Sequence, residues 1–315
     1  MTTGNGDAAF KVIDLHHQGL EESVLACLIE GRDGAYVVDP GPTSCLPALE
    51  AGLAAAGFGV QDLAGLLLTH IHLDHAGASG TLARMNPRLK IYVHELGSFH
   101  IINPAKLLGS ATRLYGDRMD RLWGEVAPVP GDRVIDLSGG ERLDLGGRLL
   151  EVASTPGHAM HHVCYFEQAT GTVYAGDTGG VRTPKLPVVL PVTPPPDFDL
   201  QAWLESLERI AAWKPGRIVV THFGAWTDVT KHLEALRDGL VAWAGYVREG
   251  LAADGSDADR VRAFAARLEQ WLRGRVPADR AAEFLSGEEP EACWQGLARY
   301  WRTRASDAAR PGIRP

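Results

Sequence analysis

The densest chemistry in the chain lies at 66–77, Leu-Leu-Leu-Thr-His-Ile-His-Leu-Asp-His-Ala-Gly. Three imidazoles, His70, His72 and His75, and one carboxylate, Asp74, fall there within six residues. Imidazole with carboxylate is the donor set for zinc, iron or manganese. Two histidines at i and i+2 cannot share a helix face, but a loop curling off a strand end brings them together, and the small pair Ala76-Gly77 permits the curl. Asp74 and His75 can then turn toward a second ion. Three other apolar stretches end the same way: 149–154 runs into Thr155-Pro156-Gly157-His158, 173–176 into Asp177-Thr178, and 218–221 into His222-Phe223-Gly224. Four strand ends offering seven ligand-type side chains read as a site for two metal ions. Seven separately satisfied loop residues would need four coincidences at one structural position.

The elements that must position these residues are legible from hydrophobic period. Short apolar or alternating runs at 10–15, 23–30 and 35–38 predict strands, and Asp39-Pro40-Gly41 stops the third. Helical spacing at 46–57 followed by the continuous apolar run 65–69 gives a β-α-β pattern, with the second strand covered on both faces. A hairpin is predicted where 142–145 meets 148–152 across Gly146-Gly147. Further strands fit 162–167, 172–175 and 217–220, with a helix at 200–213 capped by Asp199. From Thr227 the period becomes helical: 228–249, 257–273, 278–285 and 291–304, with breaks at 253–256, 276–277 and 287–290. The expected organisation is a catalytic domain at 1–226, a helical region at 227–306 and a tail at 307–315.

The 315 residues carry 31 Lys+Arg against 39 Asp+Glu, a net charge of −8, which disfavours a nucleic-acid backbone as partner. With 45% hydrophobic and 22% charged residues, general disorder is excluded. Gly and Pro number 36 and 19, so shaped turns abound. The start lacks a basic stretch followed by an apolar one and no run is long enough to span a membrane, so a cytoplasmic protein is expected. Cys27, Cys45, Cys164 and Cys293 have no paired spacing and read as small apolar residues. His94, His100, His161, His162 and His232 belong to no motif and are expected to be structural or exposed.

HxHxDH, then Pro-Gly-His, then Gly-Asp-Thr, then Thr-His, resembles the metallo-β-lactamase superfamily, and Val37-Val38-Asp39-Pro40-Gly41 resembles its early strand-end motif. The resemblance covers about 12–226. It implies a four-layer αββα sandwich, here with a C-terminal helical extension, and the metals at one edge of two facing mixed sheets. It further implies that His70, His72 and His158 hold one ion, that Asp74, His75 and His222 hold the other, and that Asp177 bridges them. Asp39 would orient ligands from behind. Two divalent ions, Zn2+ first with Fe or Mn as alternatives, would share a hydroxide that attacks the substrate, with Asp74 and Asp177 as the carboxylates of catalysis.

Departures from the superfamily's branches narrow the substrate. Asp177 stands where the β-lactam-hydrolysing branches, as the resemblance goes, carry Cys or Ser, and the 44 residues between Asp177 and His222 leave no room for the inserted domain of the large nucleases. What remains resembles glyoxalase II, a thioesterase, the acyl-homoserine lactonases and small phosphodiesterases. The expectation is a hydrolase of a small lactone or thioester; a phosphodiesterase or a mononuclear-iron persulfide dioxygenase are the alternatives, and a metal-stabilised ligand- or RNA-binding scaffold is the non-enzyme one. A small molecule is the expected partner, with a homodimer open. The 83 positions from His75 to His158 exceed the spacing in those groups. The surplus at 94–126, apolar residues among Lys106, Arg113, Arg118 and Arg121, is expected to form a helical lid. Residues 184–196, six of them proline, are expected to make a stiff polyproline-like wall. Tyr115 and Tyr174 are candidate proton donors.

Overall fold

The computed structural model describes residues 10–286 and 289–308. Its first sheet holds six strands in chain order, β1 (Lys11–Asp14), β2 (Leu25–Gly31), β3 (Gly34–Val38), β4 (Leu63–Leu67), β5 (Lys90–His94) and β6 (Val134–Leu137). β1 to β3 pair antiparallel and β3 to β6 parallel. The second sheet is built from β7 (Arg142–Asp144), β8 (Leu149–Ser154), β9 (Val163–Glu167), β10 (Thr172–Tyr174), β13 (Arg217–Val220) and β14 (Gly224–Trp226), ordered β14-β13-β10-β9-β8-β7. Only β10 and β13 run parallel in it. β11 (Val181–Thr183) and β12 (Leu186–Leu190) form a separate ribbon.

The period of two sorts side chains between layers. In β2 and β3, Leu25, Cys27, Ile29, Tyr36 and Val38 enter the core between the sheets, where they meet Leu150, Val152, Tyr165 and Val219. Ala26, Leu28, Ala35 and Val37 point the other way, under α1 (Leu46–Ala55), α3 (Ser79–Met85) and α4 (Glu95–Ile102). With both faces covered, such strands read as unbroken apolar runs. The outer face of the second sheet is covered by α7 (Leu200–Ala212) and α8 (Val229–Ala252), and α9 (Asp257–Leu272), α10 (Ala278–Ser286) and α11 (Glu289–Ala308) complete that core through Phe264, Leu268, Trp294 and Leu297. The fold is thus the four-layer sandwich with a helical extension.

Local chemistry places the boundaries. Asp199 Oδ1 accepts from Ala202 N (3.0 Å) to cap α7. Gly146 and Gly147, at φ 61° and 95°, turn β7 into β8 in a two-residue loop. The strand expected at 65–69 ends instead at Leu67, because Thr69 N is given to the Asp39 carboxylate (2.8 Å) rather than to a neighbouring strand. The polyproline-like wall at 184–196 is corrected in its first part, where 184–190 is β12 and its turn, whereas 191–196, with four of the six prolines, belongs to no strand or helix. A two-stranded ribbon leaves one edge of each strand unpaired, where proline's missing N–H costs nothing. The expected tail at 307–315 lies outside the described residues from 309 onward, and its first two residues continue α11. The surplus at 94–126 folds as α4, α5 (Ala105–Tyr115) and α6 (Met119–Trp123), packed through Ala111, Leu122 and Trp123 on Leu73 of the short helix α2 (Leu73–Ala76).

Gly157 is needed for a close approach. It sits at φ 139°, and a Cβ there would stand 2.6 Å from Trp203 N on α7. Gly157→Ala is expected to lower stability by about 1–3 kcal/mol through overpacking. Urea unfolding checks this, and an unchanged midpoint would contradict it.

Candidate metal centre

Five chain segments leaving β3, β4, β8, β10 and β13 meet at one edge of the sandwich. They bring all seven expected ligand-type residues together in two groups. His70, His72, His158 and Asp177 each offer a donor atom within 4.8 Å of the others, and so do Asp74, His75 and His222. Asp177 stands between the groups with one oxygen turned to each. Its Oδ2 lies 3.3 Å from His158 Nε2 and 4.0 Å from His70 Nε2. Its Oδ1 lies 3.3 Å from His75 Nε2 and 3.5 Å from His222 Nε2. Asp74 Oδ2 closes the second group, 3.3 Å from His222 Nε2. His72 turns Nδ1 toward the first, 3.0 Å from His158 Nε2.

These separations suit a metal. Donors about 2.0–2.1 Å from a tetrahedral ion stand about 3.3–3.4 Å apart. His70 Nε2, His75 Nε2 and Asp177 Oδ1 are buried without a hydrogen-bond partner, a costly state for polar atoms unless another group takes their lone pairs.

The outer nitrogens explain why the inner ones are available. His158 Nδ1 donates to Val192 O (2.8 Å) and His222 Nδ1 to Ser23 O (3.0 Å). A carbonyl only accepts, so Nε2 of each ring keeps its lone pair for the centre. His75 Nδ1 donates to Asp39 Oδ2 (2.8 Å). His70 Nδ1 meets Thr69 Oγ1 (3.1 Å), whose proton goes to Asp39 Oδ2 (2.7 Å). Asp39 is buried in the left-handed region (φ 51°) and also accepts from Thr69 N (2.8 Å) and Thr221 Oγ1 (3.0 Å). One carboxylate therefore ties the ends of β3, β4 and β13 beneath the cluster.

Electrostatics favour the donor forms that a cation needs in the first group. Burial, reinforced by neighbouring imidazoles, holds His70 and His72 well below the usual histidine range, hence neutral. Burial pushes Asp177 up, but His75, His222 and His158 outweigh it and keep the carboxyl ionised. Asp74 is likewise raised by burial and more strongly lowered by His75 and His222.

Several positioning groups escaped sequence reasoning. Thr69, Thr221 and the carbonyls of Ser23 and Val192 hold ligand-type side chains, and only the repeated Thr-His pair hinted at it. Of the histidines outside the motifs, His162 lies nearly parallel to His70 (ring centroids 5.1 Å apart) and binds Thr155 Oγ1 (3.0 Å). His161 stands edge-on to His72 at 5.9 Å, and burial lowers it to about 3. Both form the wall beside the first group. His94 caps α4 by accepting from Leu96 N, and His232 binds Gly179 O (2.7 Å). Of the candidate tyrosines, Tyr174 lies in the core and Tyr115 on α5. Tyr174 is packed between the sheets against Phe10, and Tyr115 lies edge-on to Trp123. All four cysteines are buried and none is in a disulfide.

A sandwich of two mixed sheets with a histidine and aspartate cluster at one edge defines a class of metal-binding αββα proteins. The family model of the metallo-beta-lactamase superfamily matches residues 20–222, and the chain belongs to that superfamily. The Metallo-beta-lactamase fold-containing protein ST1585 of Sulfurisphaera tokodaii is 32% identical over 162 residues, half of this chain and 60% of its own length. A hydroxyacylglutathione hydrolase of Synechococcus sp. is 31% identical over 144 residues, 46% of this chain and 43% of its own. The chain thus spans about half the length of the curated relatives it matches. Among solved structures, a metallo-beta-lactamase family protein from Thermus thermophilus superposes with a TM-score of 0.68 at 23% identity, covering 94% of both chains. No described helix is long and apolar enough to cross a membrane.

Proposed function

We propose that the chain is a hydrolase that uses two divalent metal ions, zinc first, to cleave a small ester-like substrate, a lactone or a thioester. The observation that carries this reading is Asp177, whose two oxygens address two separate groups of ligand-type side chains. His70, His72 and His158 would hold one ion, Asp74, His75 and His222 the other, and Asp177 both. When bound, such a pair supplies hydroxide near neutral pH and polarises the scissile carbonyl. The chain's own contribution is to fix the donors: Asp39, Thr69, Ser23 and Val192 hold the imidazoles in the tautomers that face inward. Acyl chemistry is favoured over phosphodiester cleavage by the relatives named hydroxyacylglutathione hydrolase, each matched over less than half its length. The helices α4 to α6 would wall the substrate side as a lid.

A panel of lactones, thioesters and phosphodiesters, assayed on protein of measured metal content, tests the proposal. Turnover of a lactone or thioester, lost on chelation, is expected. Cleavage confined to phosphodiesters, or oxygen uptake with one iron per chain, would overturn it.

A further inference from the structure

The loop from β1 to β2 ends against the strand end that carries His222. Its Ser23 carbonyl accepts from His222 Nδ1 (3.0 Å), and Leu25 N donates to Thr221 O (3.0 Å). Between Asp14 and Ser23 the backbone is unusual: His16, Gln18 and Glu22 all hold the left-handed region, at φ 47°, 57° and 57°. Residues other than glycine stay there only when their surroundings hold them. Asp14 does part of this, accepting from His16 N (3.0 Å) and Glu22 N (2.8 Å). Backbone bonds from Gly19 N to His16 O (2.7 Å), Leu20 N to His17 O (3.1 Å) and Leu15 N to Val24 O (3.0 Å) add to it, and His17 anchors the loop outward through its side chain, buried while His16 and Gln18 to Glu21 are exposed. Its ring stacks on Trp123 at the end of α6 (centroids 5.3 Å, planes 18° apart). Its Nε2 donates to Leu122 O (2.9 Å), a carbonyl that also accepts from Ser44 Oγ (2.7 Å). The partner helix belongs to the segment that lengthens the spacing between His75 and His158.

We propose that His17 is a positioning residue: by latching the β1–β2 loop to α6 it keeps the Ser23 carbonyl on His222, and so sets the affinity of the Asp74, His75 and His222 group for its ion. The inference rests on the two-ion reading given above. Loss of an outer hydrogen-bond partner typically weakens metal binding about 10–100-fold, and a shifted Ser23 carbonyl is such a loss. The other group, whose His158 is held by Val192 O, is untouched by the latch.

Zinc titration of the full chain against a competing chelator reads this directly, with no substrate present. The wild type is expected to bind two ions in resolvable steps. His17→Ala is expected to raise the half-saturating free zinc of one step about 10–100-fold and to leave the other within a factor of two or three. His17→Gln, which keeps a donor for Leu122 O, should recover part of the loss. Ser44→Ala cuts the other bond to the same carbonyl without touching the loop, so both steps should stay as in the wild type. Equal effects of His17→Ala and Ser44→Ala, or two unchanged steps in His17→Ala, would overturn the latch. A wild type that binds fewer than two ions would overturn the two-ion reading itself and the latch with it.

Discussion

Asp177→Asn is expected to abolish hydrolysis while leaving the protein folded. The substitution keeps the shape of the side chain but removes the charge that four imidazole nitrogens share at 3.3–4.0 Å. Of the seven ligand-type residues, Asp177 is the one whose two oxygens reach both groups, so its neutralisation weakens both at once. The loss of turnover should exceed the roughly 10–100-fold that outer partners of metal ligands typically cost, and the metal content should fall below that of the wild type. The fold is retained because the amide fills the volume of the carboxylate, so no cavity opens. Steady-state kinetics and elemental analysis of the same preparation check the prediction. Activity within tenfold of the wild type would remove Asp177 from the centre.

Asp39→Ala is expected to be the most destabilising single change near the site, even in protein stripped of metal. Four donors converge on this carboxylate: Thr69 N, Thr69 Oγ1, Thr221 Oγ1 and His75 Nδ1. Removing it leaves them buried and unpaired, and His75, which the nearby carboxylates hold toward its protonated form against the opposing pull of burial, loses its closest one. Breaking a buried ionic pair by deleting one partner typically costs about 3–5 kcal/mol, against a total stability of about 5–15 kcal/mol for a domain. Urea unfolding in the presence of chelator measures the loss without contribution from bound ions. A change under about 1 kcal/mol would show that Asp39 does not tie the three strand ends together.

Much of this arrangement was legible in the sequence, for physical reasons. The ligand-type residues follow apolar strands because side chains at the ends of buried strands alone can converge from distant parts of the chain. The run Leu66 to Leu68 is therefore recognisable as covered on both faces from its residue types alone. The two-glycine turn at 146–147 and the cap at Asp199 are local chemistry and were equally readable. β5, β6 and β14 escaped because Lys90–His94, Val134–Leu137 and Gly224–Trp226 are too short for their apolar period to show, although Asn86-Pro87, Pro130-Gly131 and Gly139-Gly140 mark turns beside the first two. The proline-rich stretch misled because proline count says nothing of which backbone edge faces a partner. The carbonyls of Ser23 and Val192 had no signal at all: a backbone oxygen carries no residue identity, and only the folded chain brings Val192, 34 positions from His158, into hydrogen-bond range.

On the proposed reading, Asp177 stands between two ions. Diffraction from crystals of the zinc-loaded protein, recorded at the zinc absorption edge, tests it most directly. Two anomalous peaks per chain are expected, about 3.5–4 Å apart, one among His70, His72 and His158 and the other among Asp74, His75 and His222, with Asp177 touching both. A single peak, or two peaks of which neither contacts Asp177, would contradict it.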